Sequence, residues 1–259
     1  MDRTVGAAHE LAGRVAVVTG ASRGLGGGMA ERFAAAGLHL GLCARTEPAV
    51  PAASGASGVE VVTAVVDVTA AAAVDRFARE VAERLGPIDL WVNNAGLLGP
   101  IGPLRDLDAA AVDANLAVNV GGVLHGSATF ARHVRSRAGG GVLVNISSGA
   151  ATRAYPGWSA YCASKAAVDH ATRVVALEEA DAGLRAYAVA PGVVDTDMQA
   201  LIRDTPADRF PAVERFLQMK RDDAYNSPAW VADHVLGLLG APAPGDDVVL
   251  RIPDEPRRG

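Results

Sequence analysis

The most constraining feature of this sequence is a short β-branched segment that runs directly into a glycine-rich turn. Residues 15–19 are nearly all apolar and predict a strand that is buried on both faces. The turn at residues 20–26 follows, and the apolar spacing after it indicates a helix that stops at Gly37. Strand, turn and helix in this order predict a phosphate-binding unit, because glycines admit a pyrophosphate and the helix N-terminus offers unpaired N–H groups. A tight connection without a ligand is the alternative, since the spacing is Gly-x-x-x-Gly-x-Gly.

Strand and helix patterns alternate along the rest of the chain. Further strands are predicted at residues 38–44, 59–66, 88–92, 142–146, 184–190 and 248–252. Helices are predicted at residues 70–85, at 106–134, from Tyr161 to Glu178, and after the cap Ser227. This order predicts an α/β fold: a Rossmann-like, doubly wound parallel sheet of about seven strands with helices on both faces. No long linker interrupts the chain, so residues 1–259 are expected to form a single domain.

Small and polar residues follow several of the predicted strands. They are Asn-Asn-Ala-Gly at residues 93–96, Ser-Ser-Gly at 147–149 and Pro-Gly at 191–192. The carboxyl ends of parallel strands share one edge, where such folds bind ligands. For residues 93–96, a turn that needs Asn and Gly for backbone reasons is the alternative. Asn119 interrupts an apolar helix face, and its apolar neighbours indicate a buried amide with a function.

Basic residues stand where the adenosine ribose of a dinucleotide would lie. An acid at the end of the second strand would accept a hydrogen bond from a free 2′-hydroxyl, but this chain has Arg45 there. Arg23 lies in the glycine turn, and two converging guanidinium groups would suit a 2′-phosphate. The pattern therefore favours NADP(H), although Glu47 stands close by.

Tyr161 and Lys165 stand four residues apart in a segment with helical spacing. On a helix they share one face, about one turn from each other. A nearby ammonium group favours the phenolate and is expected to lower the tyrosine pKa. Such a phenol could give a proton to a carbonyl oxygen or take one from an alcohol. Two side chains on an exposed helix face are the alternative, because Tyr-x-x-x-Lys also occurs by chance.

Residues 195–227 read as two short amphipathic helices beyond the sixth strand. An insertion at this place could form a substrate lid, and simple packing is the alternative. The net charge of −5 is made of well-mixed signs, so no nucleic acid or membrane partner is expected. The six histidines lack ligand spacing, and no metal site is expected. Cys43 and Cys162 are predicted to be buried free thiols, which suits a reducing, cytoplasmic location.

Taken in order, these motifs resemble the short-chain dehydrogenase/reductase family over nearly the whole chain. The matching residues are Thr19, Gly20, Gly24, Gly26, Asp67, Asn93-Asn94-Ala95-Gly96, Asn119, Ser148, Tyr161, Lys165 and Pro191-Gly192. Gly157-Trp158, Ala176-Leu177-Glu178-Glu179 and Asp195-Thr196-Asp197-Met198-Gln199 are similar to the branch of sepiapterin and benzil reductases. Each motif alone is weak, and the ordered set is specific.

The resemblance implies roles for individual residues. Ser148 would hold the substrate carbonyl oxygen, Tyr161 would donate the proton, Lys165 would bind the nicotinamide ribose and tune Tyr161, and Asn119 would hold a water in the proton relay. NADP(H) contacts are implied for Gly20, Ser22, Arg23, Gly24, Leu25, Gly26, Arg45, Asp67, Val68, Asn94, Ala95, Gly96, Tyr161, Lys165, Pro191, Gly192, Val194, Thr196 and Met198. Substrate contacts are expected from Leu97, Tyr155, Trp158 and Val193, with Met198, Leu201 and Phe216 as further apolar candidates.

These observations predict an NADPH-dependent carbonyl reductase that acts on a ketone or a benzil-like vicinal diketone. The alternatives are a sepiapterin or pterin side-chain reductase, an NADP-dependent alcohol dehydrogenase, and a non-catalytic NADP(H)-binding sensor. The carboxylate that anchors pterin in sepiapterin reductases would align with Val249, and only a shifted register would bring Asp246 or Asp247 there. The resemblance also implies a homodimer or homotetramer.

Overall fold

The computed structural model describes residues 11–241 and 247–256, and the account that follows concerns those residues. The strands are β1 Val15–Thr19, β2 His39–Ala44, β3 Val61–Val65, β4 Ile88–Asn93, β5 Gly141–Ile146, β6 Leu184–Ala190 and β7 Val249–Arg251. The α-helices are α1 Gly24–Ala35, α2 Ser54–Ser57, α3 Ala71–Leu85, α4 Ala109–Leu116, α5 Val123–Arg135, α6 Ser159–Glu178, α7 Asp197–Arg203, α8 Val213–Arg221 and α9 Pro228–Gly240.

The strands form one seven-stranded parallel sheet in the order β3-β2-β1-β4-β5-β6-β7. The strand order reverses between β1 and β4, which is the point where doubly wound sheets open a crevice for ligands. All five residues of β1 are buried, as expected for a strand with partners on both edges and helices on both faces. The predicted doubly wound α/β fold is confirmed.

Helices cover both faces of the sheet and build a core on each. On one face, α1 and α9 contribute Met29, Phe33 and Val235 to a cluster with the central strands. On the other face, α3 and α5 pack around Trp91 of β4 and Phe130, whose rings stack with centroids 6.1 Å apart. A third cluster, centred on Trp158, lies outside these two and involves α6, α7 and α8. This third cluster adjoins the candidate site.

Three predicted segments differ from the structure in detail. The single long helix predicted at residues 106–134 consists of α4, a π-helical turn at Ala117–Gly122 and α5. Asn115 and Asn119 explain the interruption, because both side chains bond the backbone of a neighbouring loop. Residues 46–58, for which the sequence predicts neither a strand nor a helix, contain the short helix α2. Cys162 is a free thiol but only half-buried, whereas Cys43 is buried as predicted.

No helix within the described residues is long and apolar enough to cross a membrane.

Candidate active site

A cavity of about 630 Å³ runs along the carboxyl ends of the central strands. It is lined by every residue predicted to contact the cofactor, and by Leu97, Tyr155, Trp158 and Val193 from the predicted substrate set. Of the four predicted catalytic residues, Ser148, Tyr161 and Lys165 line the cavity. Asn119 is fully buried behind its wall. The end formed by residues 20–26 is called the glycine-turn end below, and the end formed by Tyr155, Trp158 and Phe216 is called the aromatic end.

The glycine-turn end is shaped by close backbone contacts. A Cβ atom on Gly20 would lie 2.7 Å from the Cα of Ala95, and one on Gly26 would lie 2.4 Å from the carbonyl oxygen of Gly20. The Asn94 side chain donates to the carbonyl oxygens of Thr19 and Gly20 at 2.9 and 3.2 Å. These bonds tie the turn after β1 to the loop after β4, so larger side chains have no room there.

Helix α1 presents an uncapped N-terminus to this end of the cavity. Its N-cap residue, Arg23, makes no side-chain hydrogen bond to the first turn. The free N–H groups and the helix dipole suit a bound phosphate, and the narrow glycine turn lets that phosphate approach. This local geometry fits the pyrophosphate of a dinucleotide.

The two arginines expected to share a 2′-phosphate have different surroundings. Arg45 follows β2, is exposed and lines the cavity. The Arg23 guanidinium instead pairs with the Asp197 carboxylate at the start of α7, 2.9 Å away. Arg23 therefore bridges the glycine turn and α7, and the geometry leaves Arg45 as the better candidate for the 2′-phosphate. Glu47 is exposed and does not line the cavity.

Asp67 lines the cavity, where the charge of Arg45 acts on it, and is held by its own turn. Its carboxylate accepts hydrogen bonds from the backbone N–H and the hydroxyl of Thr69, at 2.9 and 2.8 Å. These bonds, with the charge of Arg45 as a smaller contribution, lower the pKa of Asp67. The carboxylate is thus ionised at neutral pH and fixed at the cavity wall.

Tyr161, Lys165 and Ser148 come together at the middle of the cavity. Tyr161 and Lys165 lie one turn apart on α6 and are 7% and 5% exposed. The Ser148 side chain acts on the Tyr161 phenol and favours its ionised form. The Lys165 ammonium group donates to the carbonyl oxygen of Ile146 at 2.8 Å, and it lies 5.7 Å from the centroid of the Tyr161 ring. The alternative of an exposed Tyr-Lys helix face is therefore wrong.

The pKa of Tyr161 differs from the sequence-based expectation. Burial raises it to about 12, and this effect outweighs the hydrogen bond from Ser148, which lowers it. Lys165 is not among the groups that shift the pKa of Tyr161, and its own burial lowers the pKa of its ammonium group to about 8. Tyr161 is consequently a protonated phenol at neutral pH, which is the form that can donate to a carbonyl oxygen.

Asp169 is a buried carboxylate that sequence reasoning missed. It lies one turn beyond Lys165 on α6, is 5% exposed, and accepts a short hydrogen bond from the Ser147 hydroxyl. Burial raises the pKa of Asp169, while its negative charge raises the pKa of Lys165. The spacing of four residues from Lys165 was visible in the sequence, but a lone acid on a helix carries no specific signal.

Asn119 positions a loop together with Asn115, for which the sequence predicted no role. Its side chain accepts from the N–H of Leu97 at 2.7 Å and donates to the carbonyl oxygen of Leu97 at 2.8 Å. Asn115, also fully buried, donates to the carbonyl oxygens of Leu97, Leu98 and Gly99. The two amides thus fix the loop that lines the cavity after Gly96. The water-holding role of Asn119 stays a prediction.

Aromatic rings enclose the other end of the cavity. Trp158 stacks on Phe210 with centroids 4.5 Å apart, and its ring meets Tyr161 edge-on at 5.7 Å. Phe216 and Tyr155 complete the group at 5.5 and 4.9 Å from Trp158. A flat apolar ligand beside Tyr161 would contact Tyr155, Trp158 and Phe216, which line the cavity, whereas Phe210 supports Trp158 from behind.

Some predicted positions do not reach this site, and others had no sequence signal. Leu201 is 49% exposed and does not line the cavity, because α7 turns that face to solvent. Neither Val249 nor Asp247 lines the cavity, and Asp246 lies outside the described residues. The cavity also includes Arg153 and Arg215, for which the sequence predicted no role, and Gln199, which was noted only as part of a motif.

Comparisons with known proteins agree with this geometry. The short chain dehydrogenase family matches residues 14–207. A 2-(R)-hydroxypropyl-CoM dehydrogenase of Xanthobacter autotrophicus is 38% identical over 236 residues, which is 89% of this chain and 92% of the relative. A benzil reductase ((S)-benzoin forming) of Bacillus cereus is 36% identical over 163 residues, but the alignment spans only 66% of that enzyme's length and 62% of this chain. The crystal structure of a levodione reductase covers 93% of this chain and 96% of its own, with 30% identity and a TM-score of 0.81.

The ordered motifs, the sheet topology and the Ser148–Tyr161–Lys165 arrangement thus agree with the family match, and the chain belongs to the short chain dehydrogenases, oxidoreductases that act on carbonyl and alcohol groups with a nicotinamide cofactor.

Proposed function

We propose that this protein is an NADPH-dependent carbonyl reductase in which Tyr161 donates the proton. The observation that carries the proposal is the placement of a protonated, buried phenol beside Ser148 and Lys165 in the cavity that contains the glycine turn. When bound, the dinucleotide supplies the hydride. Ser148 and Tyr161 would hold the carbonyl oxygen, and the Tyr161 proton would neutralise the developing alkoxide. Lys165 would hold ribose hydroxyls with its ammonium group.

The experiment that tests this proposal is NADPH oxidation over a panel of diketones, quinones, pterins and simple ketones, with product analysis. Tyr161→Phe keeps the ring and the packing against Trp158 but removes the proton donor. General acid catalysis contributes about 10²–10⁴-fold, so turnover should fall by that factor while NADPH still binds. Near-normal turnover in this variant would contradict the assignment.

The same experiment separates the reductase from a non-catalytic protein, and NADP⁺ reduction with the corresponding alcohols tests the opposite direction of the reaction. An NADP-dependent alcohol dehydrogenase would use the same residues to oxidise an alcohol. The Xanthobacter relative is named as a dehydrogenase, which supports this alternative. A non-catalytic NADP(H)-binding sensor would bind cofactor and consume no carbonyl. The intact Ser148, Tyr161 and Lys165 weigh against the sensor, because binding alone needs no proton donor.

For the substrate, we favour an aromatic vicinal diketone over a pterin. The rings around Trp158 offer flat apolar surface, and the second carbonyl of a diketone makes hydride attack easier. Neither Val249 nor Asp247 reaches the cavity to anchor a pterin, whose amide and amine groups would be left unpaired. Competition between benzil and sepiapterin at saturating NADPH tests this choice, and a tenfold higher kcat/KM for sepiapterin would overturn it.

The lid and the oligomer are also proposals. Residues 195–227 form α7 and α8, and Asp195 ties them together through Arg203 at 3.3 Å and Lys220 at 2.6 Å. We propose that this unit closes over the substrate. We also propose that the protein is cytoplasmic and forms a homodimer or homotetramer. Exposed apolar side chains on α4, α5 and α6 support the oligomer, namely Leu116, Leu124, Val174 and Leu177. Light scattering of the purified protein would give the subunit number.

A further inference from the structure

The arginines that line the cavity fall into groups with different surroundings. Arg23 and Arg45 lie at the glycine-turn end, where the dinucleotide phosphates are expected. Arg153 and Arg215 line the same cavity, and the proposed reaction gives neither of them a role. Arg251 is the fifth arginine that lines the cavity; it lies on the edge strand β7, opposite Ala190 of β6.

Arg153 and Arg215 converge on one ring at the aromatic end. The Arg153 guanidinium carbon lies over the face of Tyr155, 5.4 Å from the ring centroid. The Arg215 Nη1 donates to the Tyr155 hydroxyl oxygen at 3.1 Å. Tyr155 packs on Trp158, and Trp158 packs on Tyr161, so a short series of ring contacts connects the two guanidinium groups to the proton donor. The two charges come from separate elements, the segment after β5 and helix α8.

No acid balances these charges within the cavity. The acids among its lining residues are Asp67 and Asp197, the first bonded to Thr69 and the second paired with Arg23. The ion pairs formed by the described residues include neither Arg153 nor Arg215. The aromatic end therefore carries positive charge that is open to an anion.

Two buried polar atoms in residues of the cavity wall also lack partners among the described residues. They are the indole Nε1 of Trp158 and the side-chain oxygen of Gln199, in residues that are 4% and 7% exposed and line the cavity. Buried polar groups in proteins are normally hydrogen-bonded, so an unpaired donor and an unpaired acceptor in a cavity wall point to a ligand with polar atoms.

We propose that the substrate carries an anionic group, a carboxylate, sulfonate or phosphate, which Arg153 and Arg215 bind while the carbonyl lies at Tyr161. This rests on the proposed carbonyl reductase function and names the class of its substrate. The N–H groups of a planar guanidinium have the spacing of the oxygens in such anions, so one guanidinium can donate to two oxygens of the same anion. The rings of Tyr155, Trp158 and Phe216 would pack on an apolar body between the anion and the carbonyl.

Three probes of similar shape test the proposal: benzil, 4-carboxybenzil and the methyl ester of 4-carboxybenzil. Their affinities for the protein saturated with NADP⁺ are measured by calorimetry, and their turnover is measured with NADPH. The carboxylate should bind about tenfold or more tightly than the ester, the ratio expected of a charge-assisted hydrogen bond. Arg153→Gln with Arg215→Gln should remove that advantage, so that the acid and the ester bind equally within the variant. Arg105→Gln is the matched control, because this exposed arginine does not line the cavity.

The two readouts separate the subsite from the reaction. If benzil is reduced but the acid and the ester bind equally, the anion subsite is wrong and the reductase stands. If the acid binds preferentially through the two arginines but no probe is reduced, the subsite stands and the reductase proposal fails. An advantage for the acid that survives the double variant would also overturn the assignment of Arg153 and Arg215.

Discussion

Replacing Asp169 by asparagine is expected to move the alkaline limit of activity to lower pH. The Lys165 ammonium group is proposed to hold the ribose, so binding of NADPH should weaken as pH rises through the pKa of Lys165. Burial lowers that pKa to about 8, and the Asp169 carboxylate opposes the shift. Asp169→Asn keeps the shape of the side chain and removes the charge, so the pKa of Lys165 should fall further.

The size of the shift follows from the position of the two groups on α6. Residues four apart on a helix are neighbours on one face, and Lys165 and Asp169 form no direct ion pair. An opposite charge within ~4–6 Å shifts a pKa by about one to three units, and the shift is smaller at the longer distances. Asp169 also interacts with Ser147 and with the charge of Arg173. We therefore expect the low end, about one unit or ~1.4 kcal/mol.

The assay is kcat/KM for NADPH against pH at saturating carbonyl substrate, because this ratio follows the ionisation of the free enzyme. The alkaline limb should move from near pH 8 to about one unit lower. Asp75→Asn is the control, since Asp75 also accepts a hydrogen bond from a hydroxyl, that of Thr129, but does not act on the pKa of Lys165. An alkaline limb that stays in place while kcat falls would show that Asp169 acts only by holding Ser147, and would refute the electrostatic reasoning.

Other substitutions test the cofactor end and the aromatic end. Arg45→Ala should raise KM for NADPH by a factor that corresponds to the loss of one charge-assisted hydrogen bond, roughly 1.5–3 kcal/mol, and should leave KM for NADH nearly unchanged. A preference of the wild-type protein for NADH would contradict the NADP(H) assignment. Gly26→Ala should abolish NADPH binding in equilibrium dialysis, because the new Cβ would lie 2.4 Å from the Gly20 carbonyl oxygen. Its control, Gly237→Ala in α9, has open space around the Cβ and should raise the free energy of unfolding by about 0.5–1 kcal/mol. Phe210→Ala removes a fully buried ring stacked on Trp158, so chemical denaturation should show that the free energy of unfolding falls by about 3–5 kcal/mol. Because Trp158 lines the aromatic end, KM for the carbonyl substrate should rise more than KM for NADPH.

The sequence by itself determined the fold and the position of most of the cavity. Residues 15–19 and 184–190 were predicted with the observed bounds, because the patterns that define a buried strand are local. The turn at residues 20–26 was also predicted from the sequence, because its close backbone contacts leave no room for a side chain and so require glycine at Gly20 and Gly26. The motif residues after the strands could be assigned to one edge because parallel strands all end there.

Only the tertiary structure decided how side chains from distant segments pair and what charge they carry. Arg23 was expected beside Arg45, but its guanidinium group pairs with Asp197, 174 positions later in the chain. The pKa of Tyr161 was expected to fall because of Lys165, yet burial of Tyr161 raises it, and burial depends on the whole packed site. Arg153 and Arg215 meet at Tyr155 through α8, whose docking no local pattern specifies. Spacing along the chain fixes neighbours within a few residues, whereas partners and solvent exposure are set by how loops and helices pack.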